Sequence, residues 1–254
     1  MKAYIAFTKK EFLEFTRTWK LLIIGAVFLL FGMMSPVTAK VMPDILKSVM
    51  PEGMEITLGD PTALDSWAQF YKNVGQMGLV VLVIVFSGLL SGEFSRGTLV
   101  NMLTKGLRRP TVILSKLSMA VSVWTGAYVL CFGVTWVYTE YFWPGNNLPN
   151  LVFAAFCLWL FGVVLIAAVL LGGVLFKSSY GALLFTGAVA AALLTANIAP
   201  KIADYNPASL AAQNMALLQG SVAAADLLAP ALIAAAMVIV FVSIAVLLFD
   251  RKQL

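Results

Sequence analysis

Six stretches of the chain consist almost entirely of apolar residues and are separated by segments that contain charged residues, glycine or proline. Each is 18 to 26 residues long, close to the roughly 20 residues that an α-helix needs to cross the hydrocarbon core of a bilayer. The pattern predicts an all-α polytopic membrane protein with six transmembrane helices, forming a single membrane domain over residues 1–254. The predicted spans are residues 21–39, 74–92, 117–139, 151–176, 182–199 and 229–249.

A different pattern precedes the first span. Residues 1–20 combine apolar and charged positions with the period of an α-helix. The apolar face would comprise Ile5, Phe12, Phe15 and Trp19, and the charged face Lys10, Glu14 and Arg17. Because an aromatic face beside a basic one is typical of a helix lying in the headgroup plane, we predict an interfacial helix. The alternative is a basic flank that only sets the topology.

Two segments between spans have weaker helical patterns. Within residues 40–72, predicted to be an external loop, an apolar stripe predicts a short helix containing Met42, Ile45, Leu46, Val49 and Met50. Between spans five and six, Asn206 before Pro207 is a typical helix start, and the apolar run to residue 218 is too short to cross a bilayer. Residues 206–220 are predicted to be a partly re-entrant helix, with a surface helix as the alternative.

Composition and charge place these elements in a membrane. Hydrophobic residues make up 61% of the chain and charged residues 11%, whereas soluble proteins average roughly 45–50% and about 25%. Thirteen of the 17 Lys and Arg residues lie before span one, after spans two and four, or after span six. The positive-inside rule assigns these segments to the cytoplasm. We therefore expect a multi-pass protein of a bacterial cell membrane with both termini cytoplasmic.

The chain offers few groups for catalysis or ion transport. It has no histidine, the commonest general base and metal ligand, and Cys131 and Cys157 lie within apolar stretches, as packing residues do. Glu93 and Glu140 fall at span boundaries, so no charge lies deep in a span, which argues against an ion-coupled carrier. We predict no catalytic residue, no metal and no cofactor in this chain.

The loop between spans two and three carries the most specific pattern. From residue 92 it reads GEFSRGTLVNMLTKGLRRPTVILSK. Ser95 can cap a short helix whose apolar face would contain Leu99, Met102 and Leu103. Such a helix, held at the membrane surface, suits docking onto a soluble partner. The alternative is a helix that rests on lipid headgroups.

This loop resembles the corresponding loop of ABC-2 type transporter permeases, which has an acidic residue at the end of span two, an RGTL step and an exit with arginine, Ile-Leu and lysine. The matching residues are Glu93, Arg96, Gly97, Thr98, Leu99, Leu103, Arg109, Ile113, Leu114, Ser115 and Lys116. The family also has a basic elbow helix before span one, six spans and a short helical re-entry after span five. Residues 1–20 and 206–220 correspond to the elbow and the re-entry. One departure is Lys105, where many members have proline.

The resemblance implies an exporter driven by ATP that a separate subunit hydrolyses, since this chain contains no G-x-x-x-x-G-K-[ST] phosphate loop. The implied partners are an ABC ATP-binding subunit, which holds ATP and Mg, and a second permease copy, with a heterodimer as the alternative; nucleic acid is not expected. The residues implied to dock on the ATPase are Glu93, Ser95, Arg96, Gly97, Thr98, Leu99, Met102, Leu103 and Arg109. Those implied for the elbow are Phe12, Phe15 and Trp19.

The predicted function is that of a transport subunit, not an enzyme. An uncharged bundle repels ions but tolerates an apolar or amphipathic cargo, such as an amphipathic peptide or toxin, a drug or a lipid-like molecule. A non-transporting immunity or sensor subunit that binds an external peptide is the alternative. A membrane-embedded lipid enzyme would need clustered polar or acidic groups at one membrane face, and the sequence shows no such cluster.

Overall fold

The computed structural model describes residues 2–49, 60–96, 104, 108–145 and 148–251, and all regular secondary structure in these residues is helical. In chain order the elements are α1 (Lys2–Arg17), α2 (Lys20–Val49), α3 (Ala63–Lys72), a π-helical turn (Asn73–Gly78), α4 (Leu79–Arg96), α5 (Arg109–Phe142), α6 (Leu151–Phe176), α7 (Ser179–Ala196), α8 (Pro200–Ala203), α9 (Ser209–Ala212), α10 (Asn214–Leu218), a 3-10 turn (Ala224–Leu227) and α11 (Leu228–Arg251).

Six helical segments in the described residues are long and apolar enough to cross a membrane. They are Lys20–Ile45, Ala63–Phe94, Arg109–Phe142, Leu151–Phe176, Ser179–Ala196 and Ala224–Arg251. Each contains a predicted span or, for the fifth, most of one. The prediction of an all-helical membrane protein with six apolar helices is confirmed.

The segment after the first span differs from its prediction. The apolar stripe that begins at Met42 is helical up to Val49, but it continues α2 and is not a separate helix; Met50 lies outside the described residues. Pro36 and Pro43 both lie inside α2 and do not end it, because neighbouring helices can compensate for the backbone hydrogen bond that proline removes from a membrane helix. At the other end of the predicted loop, residues 63–72 form α3.

Helix α6 is the centre of the bundle. Most of its residues are buried, and α4, α5, α7, α9, α10 and α11 all pack against it. Its sequence explains this position, because the helix is apolar on every side and is therefore not restricted to one buried face. By contrast, the outer faces of α7 and α11 are exposed and apolar, as at Leu184 and Leu232.

Polar side chains inside the bundle form hydrogen bonds between helices. Ser66 and Thr139 hydroxyls lie 2.6 Å apart between α3 and α5, and the Tyr128 hydroxyl donates to the carbonyl of Ala155 at 2.8 Å between α5 and α6. Such bonds satisfy groups that lipid cannot, and they fix the pairing of particular helices.

Close backbone contact between α2 and α5 depends on Gly32. A Cβ atom at this position would lie 2.8 Å from the backbone oxygen of Cys131, and the Thr135 hydroxyl donates to the Gly32 carbonyl at 3.2 Å. A Cβ at Gly92, by contrast, would meet no atom of the described residues within 4 Å.

Replacing Gly32 with alanine is expected to lower the free energy of unfolding by about 1–3 kcal/mol, because a backbone carbonyl cannot move aside as a side chain can. The matched control is Gly25→Ala on the same helix, where a Cβ has open space and alanine raises helix propensity by up to about 1 kcal/mol. Unfolding of the purified variants by SDS titration in mixed micelles would measure both. Equal stabilities for the two variants would contradict the close contact.

Candidate functional site

A buried ionic cluster joins three helices at one end of the bundle. Helix α1 contributes Lys10, Glu11 and Glu14, the last turn of α4 contributes Glu93, and the second turn of α5 contributes Lys116. We call these five residues the ionic cluster, and the end of the bundle where they lie the α1 end. The other end, where α3 lies, is the α3 end.

Lys116 is at the centre of the ionic cluster. Its ammonium lies 2.7 Å from Glu11 Oε2 and 3.1 Å from Glu93 Oε2. All three side chains are almost inaccessible, with 2%, 4% and 7% of their surface exposed. A buried charge is tolerated only when it is paired, so removing any one of these residues would leave a buried charge without its partner.

Lys10 lies on the more exposed side of the ionic cluster and contacts all three carboxylates. Its ammonium lies 2.8 Å from Glu93 Oε1 and 2.9 Å from both Glu11 Oε1 and Glu14 Oε2. Partial burial lowers the pKa of Lys10, but the hydrogen bonds to Glu93, Glu14 and Glu11 outweigh burial and raise the pKa above its ordinary value. Lys10 therefore remains charged throughout the physiological pH range.

The three carboxylates of the ionic cluster could in principle hold a metal ion, because Glu11, Glu14 and Glu93 have oxygens within 4.8 Å of one another. The two ammonium groups already bind these oxygens, which leaves the five residues with one net negative charge. The arrangement fits electrostatic attachment of helices better than metal binding. The sequence prediction of no acidic cluster at one membrane face was wrong, since distant segments supply the carboxylates.

Helix α1 is held against α5 by further contacts. The Tyr4 and Ser118 hydroxyl oxygens lie 2.5 Å apart. The Phe7 ring lies 5.1 Å from the Lys10 ammonium, and 6.0 Å from that of Lys116, both within the range of cation–π attraction. The contacts of Tyr4 and Phe7 attach the first and second turns of α1 to the start of α5.

The aromatic residues predicted for the apolar face of the first helix do not share one environment. Phe15 is buried and stacks on Phe86 of α4, with ring centroids 5.4 Å apart. Phe12 and Trp19, which the sequence analysis grouped with Phe15, are 43% and 68% exposed. Phe7, Glu11 and Phe15 recur at helical spacing and form the face of α1 that is buried against the bundle. This face was not predicted from the sequence, because an acidic residue lies in its middle.

Both ends of the loop between α4 and α5 are attached to the α1 end. Glu93 belongs to the ionic cluster, and the Arg109 guanidinium donates to the carbonyl oxygens of Phe249 and Asp250 at 2.8 and 2.9 Å. Ser95 and Arg96 lie in the last turn of α4. The other predicted docking residues lie outside the described residues: Gly97, Thr98, Leu99, Met102 and Leu103.

Residues 206–218 form two short helices, α9 and α10, that pack against α6. Asn206 organises their start, because its Oδ1 accepts from the backbone N–H of Ala208 at 3.1 Å and its Nδ2 donates to the carbonyl of Leu193 at 2.6 Å. The predicted helix start near Asn206 therefore lies close to an observed one, and helical structure begins at Ser209.

An apolar groove of about 870 Å³ opens on the side of the bundle. Helices α3 and α4 form one wall, α7 the other and α6 the floor, while α9 and α10 close the α3 end. We call this cavity the lateral groove. Its polar lining residues are Tyr71, Lys72, Gln76, Thr186 and Asn214. No sequence pattern predicted this cavity.

The chain matches no known protein-family profile. It is 22% identical over 220 residues to YxlG, an uncharacterized transmembrane protein of Bacillus subtilis (strain 168), and the match covers 84% of each chain. The two proteins are therefore similar over most of their lengths. The chain is a membrane protein with six apolar helices and resembles another transmembrane protein.

Proposed function

We propose that this chain is the membrane-spanning permease subunit of an ATP-driven exporter of the ABC-2 type, with the α1 end in the cytoplasm. The observation that carries the proposal is the ionic cluster. It attaches the N-terminal amphipathic helix to Glu93 and Lys116, which flank the loop that resembles the ATPase-docking loop of that family. A displacement of this loop by a partner would therefore reach α1, α4 and α5 together.

Two observations support the proposed partners: the sequence has no phosphate-binding loop, and two helices have exposed apolar faces. The sequence contains no phosphate-binding loop, so a separate ATP-binding subunit supplies the hydrolysis of ATP. The exposed apolar faces of α7 and α11 are surfaces that lipid or a second bundle covers, and we propose a homodimer. The cargo is an apolar or amphipathic molecule, because the charged residues of the described spans lie toward one end or the other and the surface between them is mostly apolar.

Co-expression with an ATP-binding subunit would test this function. We expect the affinity-tagged chain to retain the ATPase, and Arg96→Glu with Leu99→Asp to abolish retention by placing unfavourable charge in the docking loop. Glu93→Gln is expected to retain the ATPase but to lower cargo-stimulated ATP hydrolysis several-fold, since Lys10 and Lys116 would lose their shared carboxylate.

The matched control is Lys201→Glu, an exposed charge reversal outside the docking loop. It should leave both retention and stimulation unchanged. Retention of the ATPase by the Arg96→Glu, Leu99→Asp variant would exclude this docking mode. Hydrolysis of ATP by the purified chain alone would refute the proposed division of labour between the two subunits.

A further inference from the structure

The lateral groove changes from polar to apolar along its length. Near the α3 end its lining residues include Lys72, Gln76 and Asn214. From there α4 lines it with apolar side chains as far as Ile84. At a rise of 1.5 Å per residue, Lys72 and Ile84 are about 18 Å apart along the helix axis. A molecule with one polar end and an apolar body matches this gradient.

The hydrogen bonding of Asn214 indicates what could bind at the polar end of the lateral groove. Asn214 is 1% exposed, and its Nδ2 donates to the carbonyl of Ala211 at 3.1 Å. Its Oδ1, however, has no hydrogen-bond donor among the residues that the structure describes. A buried acceptor without a donor is costly, and Asn214 lines the lateral groove. An O–H or N–H group of a bound molecule would supply the missing donor.

Lys72 supplies the charge at the same end. Its side chain is exposed, lines the lateral groove and forms no ion pair with the described residues. Helix α10, which begins at Asn214, packs against α3, which ends at Lys72. Within the part of the chain that the structure describes, the polar end of the groove therefore combines a cation outside any ion pair with a hydrogen-bond acceptor that has no donor. This pair is complementary to an anion that also carries a hydroxyl group.

We propose that the lateral groove binds one anionic membrane lipid whose headgroup carries a hydroxyl. The phosphate lies at Lys72, the hydroxyl donates to Asn214 Oδ1, and an acyl chain follows α4 and α7 past Ile84 and Leu183. The cavity volume of about 870 Å³ falls within the roughly 300–1,000 Å³ of typical small-molecule sites. The site requires no ATP-binding subunit, so it can be tested separately from the proposed transport function.

A bilayer lipid is favoured over a second copy of the chain by the position and chemistry of the groove. Its walls continue into exposed apolar side chains, including Val80, Ile84 and Leu194, so a lipid can enter sideways without crossing water. A helix of a second copy would fill the apolar part. It would also have to bring both an anion and a hydrogen-bond donor to the polar end.

Native mass spectrometry of the full chain in detergent, titrated with defined lipids, tests the proposal. Phosphatidylglycerol is the probe. Phosphatidylmethanol has the same charge but no headgroup hydroxyl, and phosphatidylcholine has no net charge. We expect phosphatidylglycerol to bind about tenfold more tightly than phosphatidylmethanol, as one hydrogen bond to a buried acceptor allows. Binding of phosphatidylcholine should be weaker still.

Three variants assign the effect to the lateral groove. Asn214→Leu should remove the preference over phosphatidylmethanol, and Lys72→Gln should remove the preference over phosphatidylcholine. Gly187→Trp should prevent binding of all three lipids, because a Cβ at Gly187 meets no atom within 4 Å and the new side chain can enter the groove without strain. Gln213→Leu and Lys201→Gln are the matched controls and should bind as the wild type does.

Unchanged lipid preferences in both Asn214→Leu and Lys72→Gln would overturn the proposed chemistry, even if Gly187→Trp prevented binding. Unchanged binding in Gly187→Trp would show that the lipid lies elsewhere. A Gly187→Cys variant adds a check on the occupant: rapid disulfide linkage between two chains in phosphatidylglycerol vesicles would identify a second copy in the groove and refute the lipid. We expect the chains to remain unlinked.

Discussion

Replacing Lys116 with methionine is expected to lower the free energy of unfolding by about 3–5 kcal/mol, the usual effect of removing one partner from a buried ion pair. Methionine has a similar length and no charge, so the change removes the ammonium while keeping most of the packing. Glu11 and Glu93 would then lie buried with only Lys10 to compensate two carboxylates. SDS titration of the purified variant, monitored by circular dichroism, would measure the loss.

Lys9→Met is the matched control, because Lys9 is exposed on α1 and surface substitutions usually change stability by less than about 0.5 kcal/mol. The double variant Lys116→Met, Glu11→Gln separates pairing from packing. It should be more stable than the sum of its single changes predicts, since the two residues interact directly at 2.7 Å. Additive losses would mean that the ionic cluster does not bind α1 to α5 through this pair.

Replacing Trp124 with alanine is expected to cost about 3 kcal/mol, near the lower end of the range for removing a large aromatic side chain from a core. The lower end applies because the lipid around the bundle is as apolar as its interior, so mainly packing is lost. Trp124 is fully buried, its Nε1 donates to the carbonyl of Trp159 at 3.0 Å, and its ring meets Phe28 edge to face at 5.4 Å.

Trp136→Ala on the same helix is the control for Trp124→Ala, because Trp136 is 54% exposed. Its removal should change the stability by less than about 1 kcal/mol. A substitution at Gly162 on α6 would displace the same ring, because a Cβ there would lie 2.6 Å from the Trp124 ring. If Trp124→Ala proved as mild as Trp136→Ala, α5 and α6 would not be held together at this point.

The apolar stretches allowed the six helices to be predicted, because each backbone in lipid must satisfy its own hydrogen bonds and a long apolar run leaves few other structures. The ends of helices were harder to predict. The first span was predicted to end at residue 39 and the stripe that begins at Met42 to form a separate helix, yet α2 continues to Val49. Likewise, α3 was missed because its residues are more polar than those of a span, although Trp67 and Phe70 bury its inner face.

The candidate site was harder to predict than the helices. Glu93 was identified as a docking residue, whereas Lys116 was identified only through the family resemblance, and its burial against α1 was not predicted. Glu11 was overlooked because its partner is 105 residues away in the chain, and no local pattern can report that pairing. The role of Asn214 could not be predicted either. Its Oδ1 is buried without a donor from the described residues only because α10 packs against α6, and the sequence does not show that packing.

The link between α1 and α2 limits how the amphipathic helix can move. Only Thr18 and Trp19 separate the two helices, and Trp19 has a left-handed backbone with φ of 60°, a conformation that non-glycine residues seldom adopt. With α1 bonded to α5 at Tyr4 and Glu11, sliding is blocked at both ends. A push on α1 would then be passed through these bonds to the first turns of α5, because the short link leaves α1 little freedom to move alone.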